Sequence, residues 1–572
     1  MITTCPLDCF DGCSIEVDDK LNLKGEKAHP ITQGYLCHHM NNFHKFARIE
    51  KPTLHGKEIS IEEAISIVKE KKDKNSLYYK GSGNLGVMQG ITKLAFANSD
   101  IAKGSLCEGA GSFGIEEGRG VDLTWGPIQV EKSDVVIIWG RNPSVTNSHM
   151  LPALKGKTII VIDPYKTDIA KKADLHVNIK PRGDIYLAML LSRMAYMEQM
   201  DDEEFIENRT ENFDYFIDFV NSQPIVMLEY RSGVCMIEAQ KILSIIKGKK
   251  VSFLLGVGPQ KYSFGHSVFR SIDSFAAMLG LFGKVGCGVG YLSSSDFGYA
   301  KPFQSKNKKT VYKPTIDFSN YDFVFIQGGS PVNQTPCTPK IKEGLSKAKF
   351  VVYFGLYENE TSKMADLIIP AKTFLEKNDL KLSYGQEFVG DMPKISDTNI
   401  GISEYELCKQ LGVELKSEKE YIKEIKNSNS TLRDGRAISK IYESIPYEKE
   451  FYTDSGKFEF FDDFYDDFKE EDLEEGFYLL NSKYNKSLNS QFKTNQFLYV
   501  PICLGLKDNQ TIKLSNGTYE CDYIVKNDEN LRDDCMLLYS GHKDSNMLTP
   551  HAMSEEGKSA IYQEIKCQIV SS

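Results

Sequence analysis

Through the middle of the chain, short unbroken apolar runs alternate with longer segments whose apolar positions recur every three or four residues. Val135-Val136-Ile137-Ile138-Trp139 runs into Gly140-Arg141-Asn142-Pro143, and Thr158-Ile159-Ile160-Val161-Ile162 into Asp163-Pro164. Val251-Ser252-Phe253-Leu254-Leu255 ends at Gly256-Val257-Gly258, Phe323-Val324-Phe325-Ile326 at Gly328-Gly329-Ser330-Pro331, and Phe350-Val351-Val352-Tyr353-Phe354 at Gly355. Such runs, rich in β-branched and aromatic residues, predict strands covered on both faces, hence parallel sheets. Between them, 184–200 places Leu187, Leu190, Leu191, Met194 and Met197 on one helical face, and 267–281 does the same with Phe269, Ile272, Phe275, Ala276 and Leu279. Strand, turn and helix in repetition predict an α/β multidomain fold whose ligands bind beyond the carboxyl ends of the strands. No repeat of fixed period is visible.

The pattern changes towards the end. Residues 461–475 are crowded with Asp and Glu and read as a solvated linker or exposed helix. From Tyr478 to Val570 the chain reads mostly as strands, with a turn at Ser515-Asn516-Gly517, which predicts a separate β-rich domain. Residues 305–309 and 426–430 read as polar connectors.

A length of 572 residues exceeds what one core supports, so several domains are expected. A net charge of −10 argues against a nucleic-acid surface. No stretch approaches 18 uninterrupted apolar residues, so no membrane span is expected. The 13 cysteines are odd in number and mostly scattered, which suits a reducing compartment. Met1-Ile2-Thr3-Thr4 leads straight into a cysteine motif without a charged and then apolar leader; the expected location is cytoplasmic.

That motif carries the chemistry. Cys5, Cys9 and Cys13 fall at even steps, and Cys37 follows after 23 residues. Four thiolates are the ligand set of a 4Fe-4S cubane, which moves single electrons. Zinc also takes four cysteines, but on two paired knuckles rather than three in one loop; free thiols or disulfides are the remaining alternatives. Gly81-Ser82-Gly83-Asn84-Leu85-Gly86 spells GxGxxG after a strand-like Leu77-Tyr78-Tyr79-Lys80. The nicotinamide signature also needs a second strand ending in an acid, and 91–99 reads as helix. A Ser-His-Asp hydrolase lacks its nucleophile elbow.

Taken in order, these pieces resemble the molybdopterin oxidoreductases of the DMSO reductase superfamily over nearly the whole chain. The cysteine loop is similar to the family's cluster-binding segment. The segments 134–143 and 162–167, followed by Ala173-Asp174, are similar to its first dinucleotide-binding signatures. The segments 360–370 with Leu375-Glu376, Ser455-Gly456-Lys457-Phe458-Glu459 and Leu488-Asn489-Ser490 resemble later ones.

The resemblance implies molybdenum or tungsten held between two molybdopterin guanine dinucleotides. Glycine- and proline-containing turns after strands offer N–H donors to pyrophosphates, and a carboxylate can accept two hydrogen bonds from guanine. Gly140, Asn142, Asp163 and Thr167 are the implied contacts on one half, Gly329, Ser330, Tyr357, Glu358 and Thr361 on the other, and Asn546 in the last domain. Ser330-Pro331 stands where relatives often have Asn-Pro. The family's metal ligand lies some 27 or 28 positions before the acid that opens the first dinucleotide strand. Counting from Asp134, that is Cys107, a thiolate suited to a soft metal, with Ser105 and Ser112 as weaker alternates. Glu108 follows Cys107 where formate dehydrogenases have His, so formate is a poor substrate expectation and a glutamate proton relay a candidate. His39 takes the place of a lysine common between cluster and pterin, and implies a hydrogen bond with added pH dependence.

The expected architecture is a cluster domain at 1–48, an α/β domain from 49–130 and 316–475, a dinucleotide-binding α/β domain at 131–315, and a β-barrel of double-psi type at 476–572. The expected activity is two-electron oxidoreduction of a small molecule, with electrons passing to a ferredoxin-like carrier or Fe-S partner subunit. Two rivals stand beside it. One is a non-catalytic electron-transfer subunit of a larger complex. The other is a tungsten hydratase-like enzyme using an acid beside the cluster cysteines, Asp8 or Asp11.

Overall fold

Two parallel sheets dominate the computed structural model, which describes residues 1–82, 85–294, 298–305, 309–461 and 475–571. Six strands carry the site: β1 (Ser76–Lys80), β2 (Val135–Trp139), β3 (Thr158–Ile162), β4 (Val251–Leu255), β5 (Phe323–Gln327) and β6 (Val351–Gly355). One sheet has eight strands in the order Thr310–Tyr312, Asp100–Lys103, β1, β5, β6, Leu367–Pro370, Thr53–Leu54, Lys57–Glu58. It is parallel up to Leu367–Pro370, and a short antiparallel hairpin closes its edge. The other has five parallel strands: Leu175–Val177, β3, β2, β4, Gly288–Gly290.

The central pairs have matching registers. Ser76–Lys80 lies opposite Phe323–Gln327, and Val135–Trp139 opposite Val251–Leu255. β2, β4, β5 and β6 are buried at every position, as expected for strands covered on both faces. Covering helices run Asp184–Met197 and Gly265–Met278.

The two sheets are related by an approximate repeat. Strand order β3-β2-β4 in one corresponds to β6-β5-β1 in the other. Because the third member follows in one domain and precedes in the other, no fixed sequence period records it.

A three-stranded antiparallel sheet (Ile2–Thr4, Ser14–Val17, Leu23–Gly25) frames the cysteine loop. A closed barrel of six strands ends the chain: Phe477–Ser482, Cys535–Tyr539, Leu498–Val500, Glu520–Asn527, Thr511–Ser515 and Lys566–Ser571.

Packing departs from the sequence division in places. The strand Thr310–Tyr312 pairs into the first sheet rather than closing the second domain. The helix Gly109–Arg119 packs with the second domain: Arg119 Nε and Nη2 donate to Asp273 on helix Gly265–Met278 at 2.7 and 2.9 Å, both side chains fully buried. Leu123, Tyr447, Phe451 and Phe458 join that same core. Residues 426–430 are no connector. They end the helix Glu418–Asn429, capped by Ser417 and Glu420 and anchored by buried Tyr421 and Ile425, and lead into the strand Ser430–Arg433. Most of the acidic segment (462–474) and of the 305–309 connector (306–308) lies outside the described residues.

Candidate active site

The carboxyl ends of both sheets, the cysteine loop and a barrel loop enclose one cavity of ≈ 890 Å³, at the upper end for a small-molecule pocket. Its walls repeat the pseudo-symmetry. After β2, Gly140 has φ +58 and Asn142 caps a short helix that begins with Pro143. After β5, Gly328 has φ +54 and Ser330 caps a short helix that begins with Pro331. Each turn packs against a glycine of a neighbouring strand. A Cβ at Gly256 would lie 1.8 Å from Gly140 O, and one at Gly81 would lie 2.4 Å from Gly329 Cα. Only glycine allows these approaches, and each turn runs into a short helix whose first backbone N–H groups have no intrahelical acceptor, a local arrangement that suits an anion. Gly81 in the GxGxxG string is thus the counterpart of Gly256. The segment after it forms a 3₁₀ turn and a short helix, Val87–Ile91 and Thr92–Ala95, not a second strand.

Most candidate residues share this cavity. Cys5, Cys9, Cys13, Cys37, His39, Cys107, Gly140, Asn142, Asp163, Thr167, Gly329, Ser330, Tyr357, Glu358 and Asn546 all line it. Two do not. Thr361 is fully buried behind Ser330, where its Oγ1 accepts from Val332 N at 3.1 Å and so props the turn. Glu108 is half-buried, and its carboxylate accepts from Ser105 Oγ at 3.0 Å.

Asp163, at the end of β3, accepts from Tyr165 N at 2.8 Å, which fixes its carboxylate. Burial pushes its pKa up to about 7. Nearby Asp184, also raised by burial, to about 6, accepts from Trp139 Nε1 at 2.7 Å. His39 stacks on Phe492 (centroids 4.6 Å apart), and burial lowers its pKa to about 4. It is therefore neutral at physiological pH, and the pH dependence expected of it falls in the acid range instead.

Among the described residues, several buried polar atoms of side chains that line this space have no hydrogen-bond partner: Asn142 Oδ1, Asn546 Oδ1, Gln334 Nε2, Ser487 Oγ and His39 Nδ1. Each such atom costs about 1–3 kcal/mol, so their convergence fits a polar ligand filling the cavity.

Cys5, Cys9 and Cys13 are held in a tight loop, with Cys5 N donating to Cys13 O at 2.8 Å. Burial first, then neighbouring anionic groups, raises their thiols, Cys9 to about 12. Left bare they are neutral; a cationic iron–sulfur core takes such groups as thiolates. Lys381 adds to the fit. It is 1% exposed, its Nζ has no hydrogen-bond partner among the described residues, and its field acts on Cys9, Asp8, Cys5 and Cys13. A buried ammonium of this kind calls for an anionic neighbour, which a thiolate-ligated cluster provides. Among the described residues, no three His, Cys, Asp or Glu side chains gather as ligands of a single ion.

Cys107 sits in a turn organised by Ser105, whose Oγ accepts from the amides of Cys107 (2.9 Å) and Glu108 (3.0 Å). Burial lifts its thiol to about 12. Two residues that sequence reasoning missed fasten this turn. Lys261 Nζ donates to Cys107 O at 2.6 Å and Leu106 O at 3.0 Å, and Gln260 bridges Cys107 O and Gly111 N. Both follow the turn after β4, the available signal. Burial brings Lys261 down to about 8. Asp8 also faces the cavity, its carboxylate accepting from Ser82 Oγ at 3.1 Å and Asn489 Nδ2 at 3.3 Å.

The family model described as "Molybdopterin oxidoreductase" matches residues 61–389, more than half of the chain. The chain belongs to the molybdopterin oxidoreductase family. It is similar to the "Probable oxidoreductase YyaE" of Bacillus subtilis (strain 168), 26% identical over 80% of this chain and 77% of that protein. The "F420-dependent formate dehydrogenase subunit alpha" of Methanocaldococcus jannaschii is 25% identical over 66% of this chain and 64% of its own length. In fold, the chain is similar over its entire length to the "Acetylene Hydratase from Pelobacter acetylenicus", with a TM-score of 0.76 at 14% identity. The protein is thus an enzyme of an oxidoreductase family with the expected mixed α/β architecture and a closed C-terminal barrel. No helix among the described residues is long and apolar enough to cross a membrane.

Proposed function

We propose that the protein is a molybdenum or tungsten oxidoreductase acting on a small molecule at a bis-molybdopterin guanine dinucleotide centre, with one 4Fe-4S cluster relaying electrons. When bound, these groups supply two-electron exchange with substrate and one-electron exchange with a carrier. Cys5, Cys9, Cys13 and Cys37 hold the cluster, and Lys381 offsets its negative charge. The turn at Gly140 and Asn142 takes one pyrophosphate, and Asp163 with Thr167 its guanine end. Gly329, Ser330, Tyr357 and Glu358 serve the second dinucleotide, with Thr361 supporting Ser330 from behind. Asn546 contributes from the barrel domain. Cys107 offers its sulfur to the metal, and Lys261 and Gln260 fix the turn that presents it.

One observation carries this reading: the cysteine loop, Cys107 and two pseudo-symmetric glycine turns open onto the same cavity. Acid extraction of anaerobically purified protein tests it. The expected yield is about two guanine nucleotides per chain, one for each turn; none, or a nicotinamide nucleotide, contradicts it.

A second reading, hydration without net redox change, rests on Asp8, which shares the cavity with Cys107 and whose carboxylate is positioned by Ser82 and Asn489. Net consumption of electrons from a reduced viologen dye favours the first reading, and turnover with no net consumption the second.

A further inference from the structure

A second concavity, ≈ 800 Å³, lies behind the cysteine loop. Gly12 and Ser14 line it, whereas Cys5, Cys9 and Cys13 line the active-site cavity, so the loop is the partition between the two. Side chains on the groove's floor are hydrogen-bonded to that loop. Ser383 Oγ donates to Phe10 O at 2.7 Å, and Gln386 Nε2 to Asp11 O at 2.6 Å and Gly12 O at 3.1 Å. Lys381, buried and without a hydrogen-bond partner among the described residues, completes the floor.

The outer wall is the helix Glu418–Asn429. Lys419, Lys423 and Lys426, at i, i+4 and i+7, share one helical face and line the groove, while Glu420 and Glu424 lie on another face. Lys426 pairs with Asp391 at 2.8 Å. Lys419 and Lys423 are exposed, and among the described residues neither forms an ion pair. Five of the groove's lining residues are Lys or Arg and two are Asp, on a chain whose net charge is −10. Such a local reversal of sign attracts an anionic macromolecule. Leu432, 78% exposed, and Ile2, 45% exposed, add an apolar edge of the kind protein partners cover.

We propose that this groove is the docking surface for a small acidic iron–sulfur carrier protein of the ferredoxin class. The inference rests on the function proposed above. One electron crosses per encounter: the reduced partner of the pair loses it, the oxidised one gains it, and no bond forms or breaks. Two encounters balance one two-electron turnover. The groove places the carrier on the face of the cysteine loop opposite the pterin cavity, so carrier and substrate do not compete for space.

The test is calorimetric titration of the anaerobic holoenzyme with an oxidised, acidic bacterial ferredoxin at low and at physiological salt, with the enzyme's cluster quantified by EPR. Binding is expected at low salt and weaker at high salt. The double variant Lys419→Glu/Lys423→Glu is expected to weaken it at least about tenfold, while leaving reduction by a small viologen dye unchanged. A remote reversal of equal charge, Lys241→Glu/Lys249→Glu, is expected to leave binding near the wild-type value. A present cluster with no ferredoxin binding, or with binding indifferent to the groove variant, overturns this inference alone. Absence of the cluster overturns the proposed function and this inference with it.

Discussion

Asp163→Asn probes the guanine end of the first dinucleotide site. The carboxylate sits at the tip of β3 with one oxygen fixed by Tyr165 N at 2.8 Å. Guanine offers two parallel N–H donors, so only the ionised form accepts both. In the ligand-free protein burial holds this carboxyl near 7. Below that pH, guanine must first displace a proton, and apparent affinity falls about tenfold per pH unit, each unit being about 1.4 kcal/mol. Between pH 7, where half of the carboxyl is ionised, and pH 5 this amounts to about 2.3 kcal/mol, a factor near fifty. The asparagine variant presents a donor where an acceptor is needed and loses about 1.5–3 kcal/mol at pH 8, with no pH dependence of its own. The assay is GDP binding to cofactor-free protein by calorimetry from pH 5 to 8. A linked effect on stability has the opposite sign. A carboxyl raised from its ordinary 3.8 to about 7 keeps a proton in the folded state that the unfolded chain has lost, so stability falls as pH rises through that window. Asparagine mimics the protonated form, so the variant is expected to melt higher than wild type at pH 8 and equally at pH 4. Wild-type binding that is flat with pH, or a variant that binds as wild type does, refutes the reasoning.

Other outcomes follow from the same geometry. Lys381→Met removes a buried lysine whose field acts on Cys9, Asp8, Cys5 and Cys13; EPR-monitored titration is expected to show a lower midpoint, by on the order of 100 mV at an effective dielectric of about 20. An unchanged potential contradicts that role. Asp273→Ala strands Arg119 in the core and is expected to cost about 3–5 kcal/mol, read by denaturant unfolding; an apolar double replacement, Arg119→Met/Asp273→Leu, is expected to lose less than the single change. Cys107→Ala is expected to retain iron while turnover with a viologen dye drops by an order of magnitude or more. Undiminished turnover removes Cys107 from the metal's coordination.

The strands that build the site were legible because doubly covered parallel strands are mostly apolar. The turns after β2 and β5 were legible because only glycine reaches φ near +55 without strain. The pseudo-symmetry was not: β1 precedes β5 in the chain while β4 follows β2, so the repeat is spatial without being periodic. Lys261 and Lys381 escaped notice because lysine is the residue type most often solvated, and only packing shows these two without water. Thr361 does not line the cavity and supports the Ser330 turn from behind, a placement that only packing shows. The 426–430 segment looked like a connector because its polar residues are the solvent side of a helix whose anchors, Tyr421 and Ile425, lie further upstream. His39 lines the cavity, and its lowered pKa comes first from burial, which is not visible in one dimension.

The central claim is that the cysteine loop holds an iron–sulfur cubane next to a metal-loaded pterin cavity. Elemental analysis and EPR on the same anaerobically purified sample test it most directly. The account predicts about four irons per chain together with molybdenum or tungsten at about one per chain, and a reduced-cluster signal that Cys9→Ser weakens or abolishes. Zinc in place of iron, or a chain lacking both iron and the heavy metal after expression with both supplied, contradicts it.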